Sequence, residues 1–200
     1  LLLCDYGRPF YDDYAFPAGL LREGRRAAAR ADAILVMKCP ASLGRAEKLT
    51  IKQKLVPYMA LDTPVFFASI RYGMPIGFDI SSYFFANAPV VAICGLASPD
   101  PFVQEVGRKF TLEKTFLFGD HHLYTYNDIQ AILDETTPKA LMLTTEKDWV
   151  KLLPLTQALG CSHRFFYIPI ALDFHDQKPS FDAWIMQMLC TISSSIHPGI

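Results

Sequence analysis

The sequence predicts an α/β fold with mainly parallel strands, and three observations carry this. Short runs rich in apolar, β-branched and aromatic residues alternate with stretches of helical pattern, as expected where strands are joined by helical crossovers. Several of the helical stretches open on recognisable caps. The chain has 200 residues, 51% hydrophobic and 20% charged, which is enough to bury a core without covalent staples.

The strand candidates, in chain order, are residues 1–4, 34–37, 64–70, 90–94, 115–118, 140–143 and 165–168. Ser98-Pro99 reads as an N-cap followed by proline at the first helical position, opening a helix over 100–109. Thr125 with Asp128 three residues on resembles a capping box and opens a helix over 127–133. Thr145 with Asp148 repeats the pattern before Trp149-Val150-Lys151-Leu152. Ser180 is read as the cap of a last helix whose Phe181, Ile185, Met188, Leu189 and Ile192 form one apolar stripe. The tail 193–200 reads as frayed. Gly73, Pro75, Gly77 and Pro89 punctuate a boundary between Tyr72 and Pro89.

Charge and cysteine content narrow the class. A net charge of −1 sets up no global field toward nucleic acid, so an anion site must be local. The five cysteines (Cys4, Cys39, Cys94, Cys161 and Cys190) are scattered without CxxC spacing, and Cys4, Cys39 and Cys94 sit in or beside apolar runs as buried free thiols usually do, which points to a reducing compartment. The longest apolar stretch, 84–97, is interrupted by Asn87 and Pro89 and is too short to span a bilayer.

Asp120-His121-His122 follows the apolar run Thr115-Phe116-Leu117-Phe118. A carboxylate and two imidazoles at a strand end suit proton transfer or metal binding; a helix-entry turn bonded locally uses the same residues. Arg22-Glu23 lies in a loop after the first strand, where open α/β sheets bind ligands. There Glu23 suits a hard cation and Arg22 a phosphate, and a plain surface salt bridge is the alternative. Arg22, Arg26 and Arg30 make a basic stripe if that stretch is an α-helix. Lys38 ends a buried strand, where a lysine can lie against a nucleotide base or ribose or face solvent. Thr144-Thr145-Glu146-Lys147-Asp148 starts a helix whose amides can take a phosphate, or is simply a cap. The chain has no Gly-rich phosphate loop.

Several segments together resemble one family. These are Asp5-Tyr6-Gly7-Arg8-Pro9-Phe10, Asp12-Asp13, Pro17-Ala18-Gly19-Leu20-Leu21-Arg22-Glu23, Arg30-Ala31-Asp32, Lys38-Cys39-Pro40, Phe118-Gly119-Asp120-His121-His122 and Thr144-Thr145-Glu146-Lys147-Asp148. Their order and spacing are similar to the tetraacyldisaccharide 4′-kinases, the lipid A 4′-kinases of Gram-negative bacteria. The resemblance implies a three-layer α/β/α architecture within a two-domain, P-loop kinase-like protein. On that basis 1–63 is the C-terminal part of the nucleotide-binding domain and 64–88 holds connector and hinge strands. Residues 89–178 would be the second α/β domain, and 179–200 a C-terminal helix and tail.

The resemblance further implies ATP-dependent phosphorylation of the 4′-hydroxyl of a lipid disaccharide 1-phosphate in lipid A biosynthesis. Mg²⁺ and a peripheral position on the cytoplasmic face of the inner membrane come with it. His121 then matches the catalytic histidine, which works with an aspartate of the other domain and has Asp120 beside it, and Glu23 matches an acidic residue near the metal and nucleotide. Lys38 is read from its position as a nucleotide contact and Arg22 from its charge as a substrate contact. The family's phosphate loop and catalytic aspartate are expected upstream of Leu1, so the chain alone is expected to be inactive. The weighed alternatives are a metal-dependent phosphoesterase of the Asp-His-His type and a non-catalytic lipid- or partner-binding fragment.

Overall fold

A computed structural model describes the backbone of residues 1–196 and the side chains through residue 191. The chain divides into two compact units, one formed by Leu1–Arg71 with the segment from Leu172 onward, the other by Tyr72–Ala171. Each is built as helices on both faces of a mainly parallel sheet.

In the first unit, β1 (Leu2–Asp5), β2 (Ile34–Met37) and β3 (Val65–Phe67) form a parallel sheet in the order β1-β2-β3. The strands are apolar on both faces because both faces are covered. Cys4, Ile34, Val36 and Phe67 pack with Ile51 and Leu55 of α1 (Arg45–Leu55). Leu35 and Phe66 face the opposite way, toward Phe174, Phe181 and Trp184. The sequence pattern did not announce α1, whose buried residues are only Ile51 and Leu55 in a run otherwise dominated by polar groups. Its start is marked by Glu47, which accepts the Gly44 N–H at 3.0 Å.

β4 (Ser69–Tyr72) continues the chain out of this unit and pairs with β10 (Ile170–Asp173), where the chain returns. The expected connector over 64–88 is therefore distributed differently. Its first strand, β3, completes the first sheet, while Phe78 and Phe84 pack into the cores of the second unit. The strand that pairs with β4 comes from about a hundred residues further on, a partner that no local pattern announces.

The second unit carries a five-stranded sheet in the order β5-β9-β8-β6-β7. β5 (Ile76–Gly77) is an antiparallel edge. β6 (Val90–Cys94), β7 (Leu112–Leu117), β8 (Leu141–Thr145) and β9 (Phe165–Ile168) are parallel. One face holds Val90, Ala92 and Leu143 against Phe102 and Val106 of α2 (Asp100–Lys109). The other holds Val91, Ile93 and Met142 against Ile129 and Ile132 of α3 (Tyr126–Asp134) and Leu152 of α4 (Glu146–Ala158). Trp149 of α4 stacks on Tyr167 of β9 at 4.6 Å.

The caps differ in detail from the sequence expectations. Thr125 and Asp128 close a reciprocal box, with the Thr125 N–H donating to Asp128 at 2.7 Å and the Asp128 N–H to the Thr125 hydroxyl at 3.2 Å. Ser98 makes no cap bond; Pro99 is the N-cap, and its carbonyl accepts from Phe102 and Val103. The last helix, α5 (Lys178–Ile196), begins ahead of Ser180, with a Lys178–Asp182 ion pair across its first turn. Its inner side is led by Phe181 and Trp184, while Leu189, expected in the same stripe, is exposed at its edge. Residues 193–196 continue the helix instead of fraying; the side chain of Ile192 and residues 197–200 lie outside what is described.

Burial alone pushes the Asp128 carboxyl up, but the Thr125 N–H and hydroxyl and the nearby His122 imidazole outweigh it, leaving it below the usual carboxylate range. A group lowered in this way stabilises the fold above its unfolded pKa and loses that contribution as pH falls through the folded value. Trp149 fluorescence should therefore report loss of stability in the second unit on acidification below about pH 4. Asp128→Asn should flatten that acid dependence; an unchanged slope would remove Asp128 from the account.

Candidate functional site

Strand order in the second unit points to one end of the sheet. From β6 the chain crosses to β7 on one side, and from β8 it crosses to β9 on the other. Adjacent strands whose onward connections diverge leave a crevice beyond their carboxyl ends, where open α/β sheets bind ligands. Gly95 follows β6 there, Gly119 and Asp120 follow β7, and Thr145 ends β8 at the start of α4.

These segments are tied together by polar contacts. Lys147 Nζ lies 2.5 Å from Asp120 Oδ1 and donates to the Gly95 carbonyl at 3.3 Å. The Lys147 ammonium holds the Asp120 carboxyl below its usual range despite opposing desolvation, so Asp120 is an anion at neutral pH. Asp120 Oδ1 also accepts the His121 backbone N–H at 3.0 Å. The His121 imidazole is different: its Nε2 is 3.6 Å from Asp120 Oδ2, too long for a hydrogen bond, and its side chain is 82% exposed. Asp120 thus orients His121 through the backbone, while its carboxylate is engaged mainly by Lys147.

His121 has φ +60°, in the left-handed region. For a non-glycine residue this costs about 1–2 kcal/mol and persists only where the surroundings enforce it. Its neighbour is built in more conventionally. The His122 ring stacks on Phe118 at 4.5 Å, its Nε2 sits 3.2 Å from Asp128, and its carbonyl accepts from Lys151 at 3.0 Å. His122 is a packing residue, and His121 is the imidazole presented to solvent.

Beneath them lies Asp148, whose side chain is fully buried. Its Oδ2 accepts the Gly95 N–H at 2.8 Å and the Thr145 hydroxyl at 2.9 Å. Gly95 is a position where only glycine fits easily. A Cβ there would stand 3.2 Å from the Gly119 carbonyl, 3.3 Å from the Tyr124 hydroxyl and 3.4 Å from Asp148 Oδ1. Burial, with the Asp148 carboxylate close by, pushes the Tyr124 phenol well up and keeps it neutral.

The first unit holds the other residues singled out from sequence. Lys38, directly after β2, is also left-handed (φ 59°), and its Nζ is 2.5 Å from Asp5 Oδ2. Burial pushes the Asp5 carboxyl up, but Lys38 and the Gly7 N–H outweigh it and hold it low. Arg22 and Glu23 line an open hollow of about 380 Å³ together with Leu1, Phe10, Leu21 and Arg30. Glu23 is ion-paired with Arg30 at 2.6 Å, and both groups are exposed.

The basic stripe of Arg22, Arg26 and Arg30 does not form. Residues Arg25–Arg30 are a 3-10 helix, Arg22 precedes it, and Arg30 is turned onto Glu23. Arg25 is drawn inward instead, donating to the Asp13 carbonyl at 2.6 Å and lying over the Tyr14 ring. With three residues per turn, positions four apart do not share a face.

A sequence model of the family described as tetraacyldisaccharide-1-P 4′-kinase matches residues 1–190. This chain belongs to that family. It is 35% identical over 199 residues to the tetraacyldisaccharide 4′-kinase of Cytophaga hutchinsonii, covering 98% of this chain and 54% of the relative. The Flavobacterium johnsoniae tetraacyldisaccharide 4′-kinase is 30% identical over 192 residues, with 94% and 54% covered. The chain spans about half the length of these curated relatives. A solved structure of LpxK from Aquifex aeolicus, described as an "apo" form in complex with ATP, matches with a TM-score of 0.56 at 20% identity. The match covers 89% of this chain and 49% of that one, and it shows the shared fold.

Membership gives no support to the phosphoesterase alternative. For a metal, the fit of the residues is poor. Glu23 is taken up by Arg30, and no group of three or more His, Cys, Asp or Glu residues suited to a metal occurs among the described residues. Mg²⁺ bound by protein usually needs one or two free carboxylates beside substrate phosphates, so no step is drawn through a metal on Glu23. No local sequence pattern gives the Lys147 side chain a role of its own. Its signal, a lysine opening a helix after a buried strand, acquires meaning only through the sheet order that sets it against Asp120.

Proposed function

We propose that this chain, within a polypeptide of the family's full length, takes part in transferring the γ-phosphoryl group of ATP to the 4′-hydroxyl of a tetraacyldisaccharide 1-phosphate. The family match over residues 1–190 carries this reading. His121 is assigned as the catalytic imidazole at the reacting hydroxyl, working with the family's upstream aspartate, and Asp120 as the anion that orients it. An exposed imidazole, fixed in a left-handed turn at the crevice end of a parallel sheet, suits proton transfer at a bound substrate. Phosphoryl transfer depends mainly on positioning and charge neutralisation.

Arg22 is assigned to a substrate phosphate, and Lys38 and Glu23 to the nucleotide side. The pair that now holds Lys38 is exposed, worth about 0–1 kcal/mol, and exchanges readily for a ligand. A peripheral position on the cytoplasmic face of an inner membrane belongs to the same proposal; among the described residues no helix is long and apolar enough to cross a membrane.

The test supplies a family-length polypeptide carrying this chain with ATP and the lipid disaccharide 1-phosphate. Mass spectrometry should find a product heavier by one phosphoryl group, formed only with ATP. A folded protein that leaves the lipid unchanged would overturn the reading.

A further inference from the structure

We propose that Lys147 is a positioning residue for His121, acting through Asp120. The proposal deepens the reading of His121 as the catalytic imidazole and rests on it. Three observations meet at this lysine. Its Nζ touches Asp120 Oδ1 at 2.5 Å and the Gly95 carbonyl at 3.3 Å, so one ammonium joins the loop after β7 to the end of β6 from the first turn of α4. The same Asp120 oxygen accepts the His121 backbone N–H at 3.0 Å. And His121 adopts φ +60°, which an L-residue holds only under local constraint.

The arrangement is a relay of position rather than of protons. Lys147 neutralises Asp120 and fixes its carboxylate; the carboxylate fixes the His121 amide; the amide holds the turn that lifts the imidazole into solvent. Without the ammonium, Asp120 is free to swing toward the imidazole, only 3.6 Å away, or toward water. Either movement releases the His121 N–H and lets the backbone leave the left-handed region. The imidazole then no longer stands where a reacting hydroxyl requires it. The lysine has a second tie that a surface ion pair lacks: its bond to the Gly95 carbonyl is at the floor of the crevice, over the buried Asp148.

Two measurements test this. In the family-length polypeptide, Lys147→Met should lower kcat about 10- to 100-fold while the KM for ATP stays within about threefold, since small misplacements of a reacting group cost rates of this order. Lys147→Arg, which keeps the charge and the reach, should recover most of kcat. In the 200-residue chain itself, nitrogen–proton correlation NMR should show the His121 amide resonance displaced in Lys147→Met and restored in Lys147→Arg.

A kcat in Lys147→Met within twofold of the parent would overturn the proposal. So would a raised KM with kcat intact, which would make Lys147 a direct binder of phosphate. A His121 amide unmoved by Lys147→Met also overturns it, whatever the rate. If the parent polypeptide transfers no phosphate, the proposed function fails, while the amide measurement still decides whether Lys147 holds His121.

Discussion

Replacing His121 with Ala in a family-length polypeptide should lower kcat by about 10²–10⁴-fold, the usual worth of a positioned acid or base. The KM for ATP should change little, as expected for an imidazole that acts in the transition state and does not anchor the nucleotide in the ground state. Loss of folding would not explain such a result. The side chain is 82% exposed and belongs to none of the cores, so truncating it leaves packing untouched. The one structural concern is the backbone, since alanine tolerates φ +60° less well than histidine does. His121→Asn answers it: asparagine is at home in the left-handed region but accepts no proton at neutral pH. Both variants should fold, keep their ATP affinity and fail in the transfer step. A near-normal kcat in either would remove His121 from the chemistry, whatever the family match implies about the rest of the chain.

What could be read from sequence follows the range of the interactions involved. Parallel strands covered on both faces must be apolar throughout, so β2 and β6 stand out as Ile34–Met37 and Val90–Cys94 without any partner being known. The Thr125–Asp128 box is three residues long and therefore legible. Thr145 and Asp148 carry the same pattern, but there the carboxylate turns inward to the Gly95 N–H, 53 positions away. Lys147 and Asp120 are 27 positions apart and meet only because β8 and β7 flank β6. The α1 segment is not legible in sequence, because a helix that buries two side chains has no strong apolar period. Among the site residues, the sequence singled out groups by chemistry. Which of them would be exposed (His121), packed (His122) or already paired (Glu23) was decided by contacts across the fold.

Asp148→Ala should be the most destabilising single change at this end of the second unit, at about 3 kcal/mol. The carboxylate is fully buried and accepts two hydrogen bonds, from the Gly95 N–H at 2.8 Å and the Thr145 hydroxyl at 2.9 Å. Bonds to a charged acceptor contribute about 1.5–3 kcal/mol each, and an abandoned buried donor adds its own desolvation cost. Alanine would leave the Gly95 N–H without a partner in a crevice too tight for rearrangement, since even a Cβ on Gly95 would press on the Gly119 carbonyl at 3.2 Å. Lys151 Nζ, 3.8 Å from the carboxylate, would lose its counter-charge as well. Asp148→Asn keeps the shape and one acceptor oxygen, so it should cost only about 1 kcal/mol. Urea unfolding separates the cases, with Trp184→Phe in the background so that Trp149, stacked on Tyr167, reports the second unit alone. If Asp148→Ala and Asp148→Asn shift the midpoint equally, the buried carboxylate is not what binds the ends of β6 and β8. In that case the platform under Asp120 and His121 would have to be held by apolar packing instead.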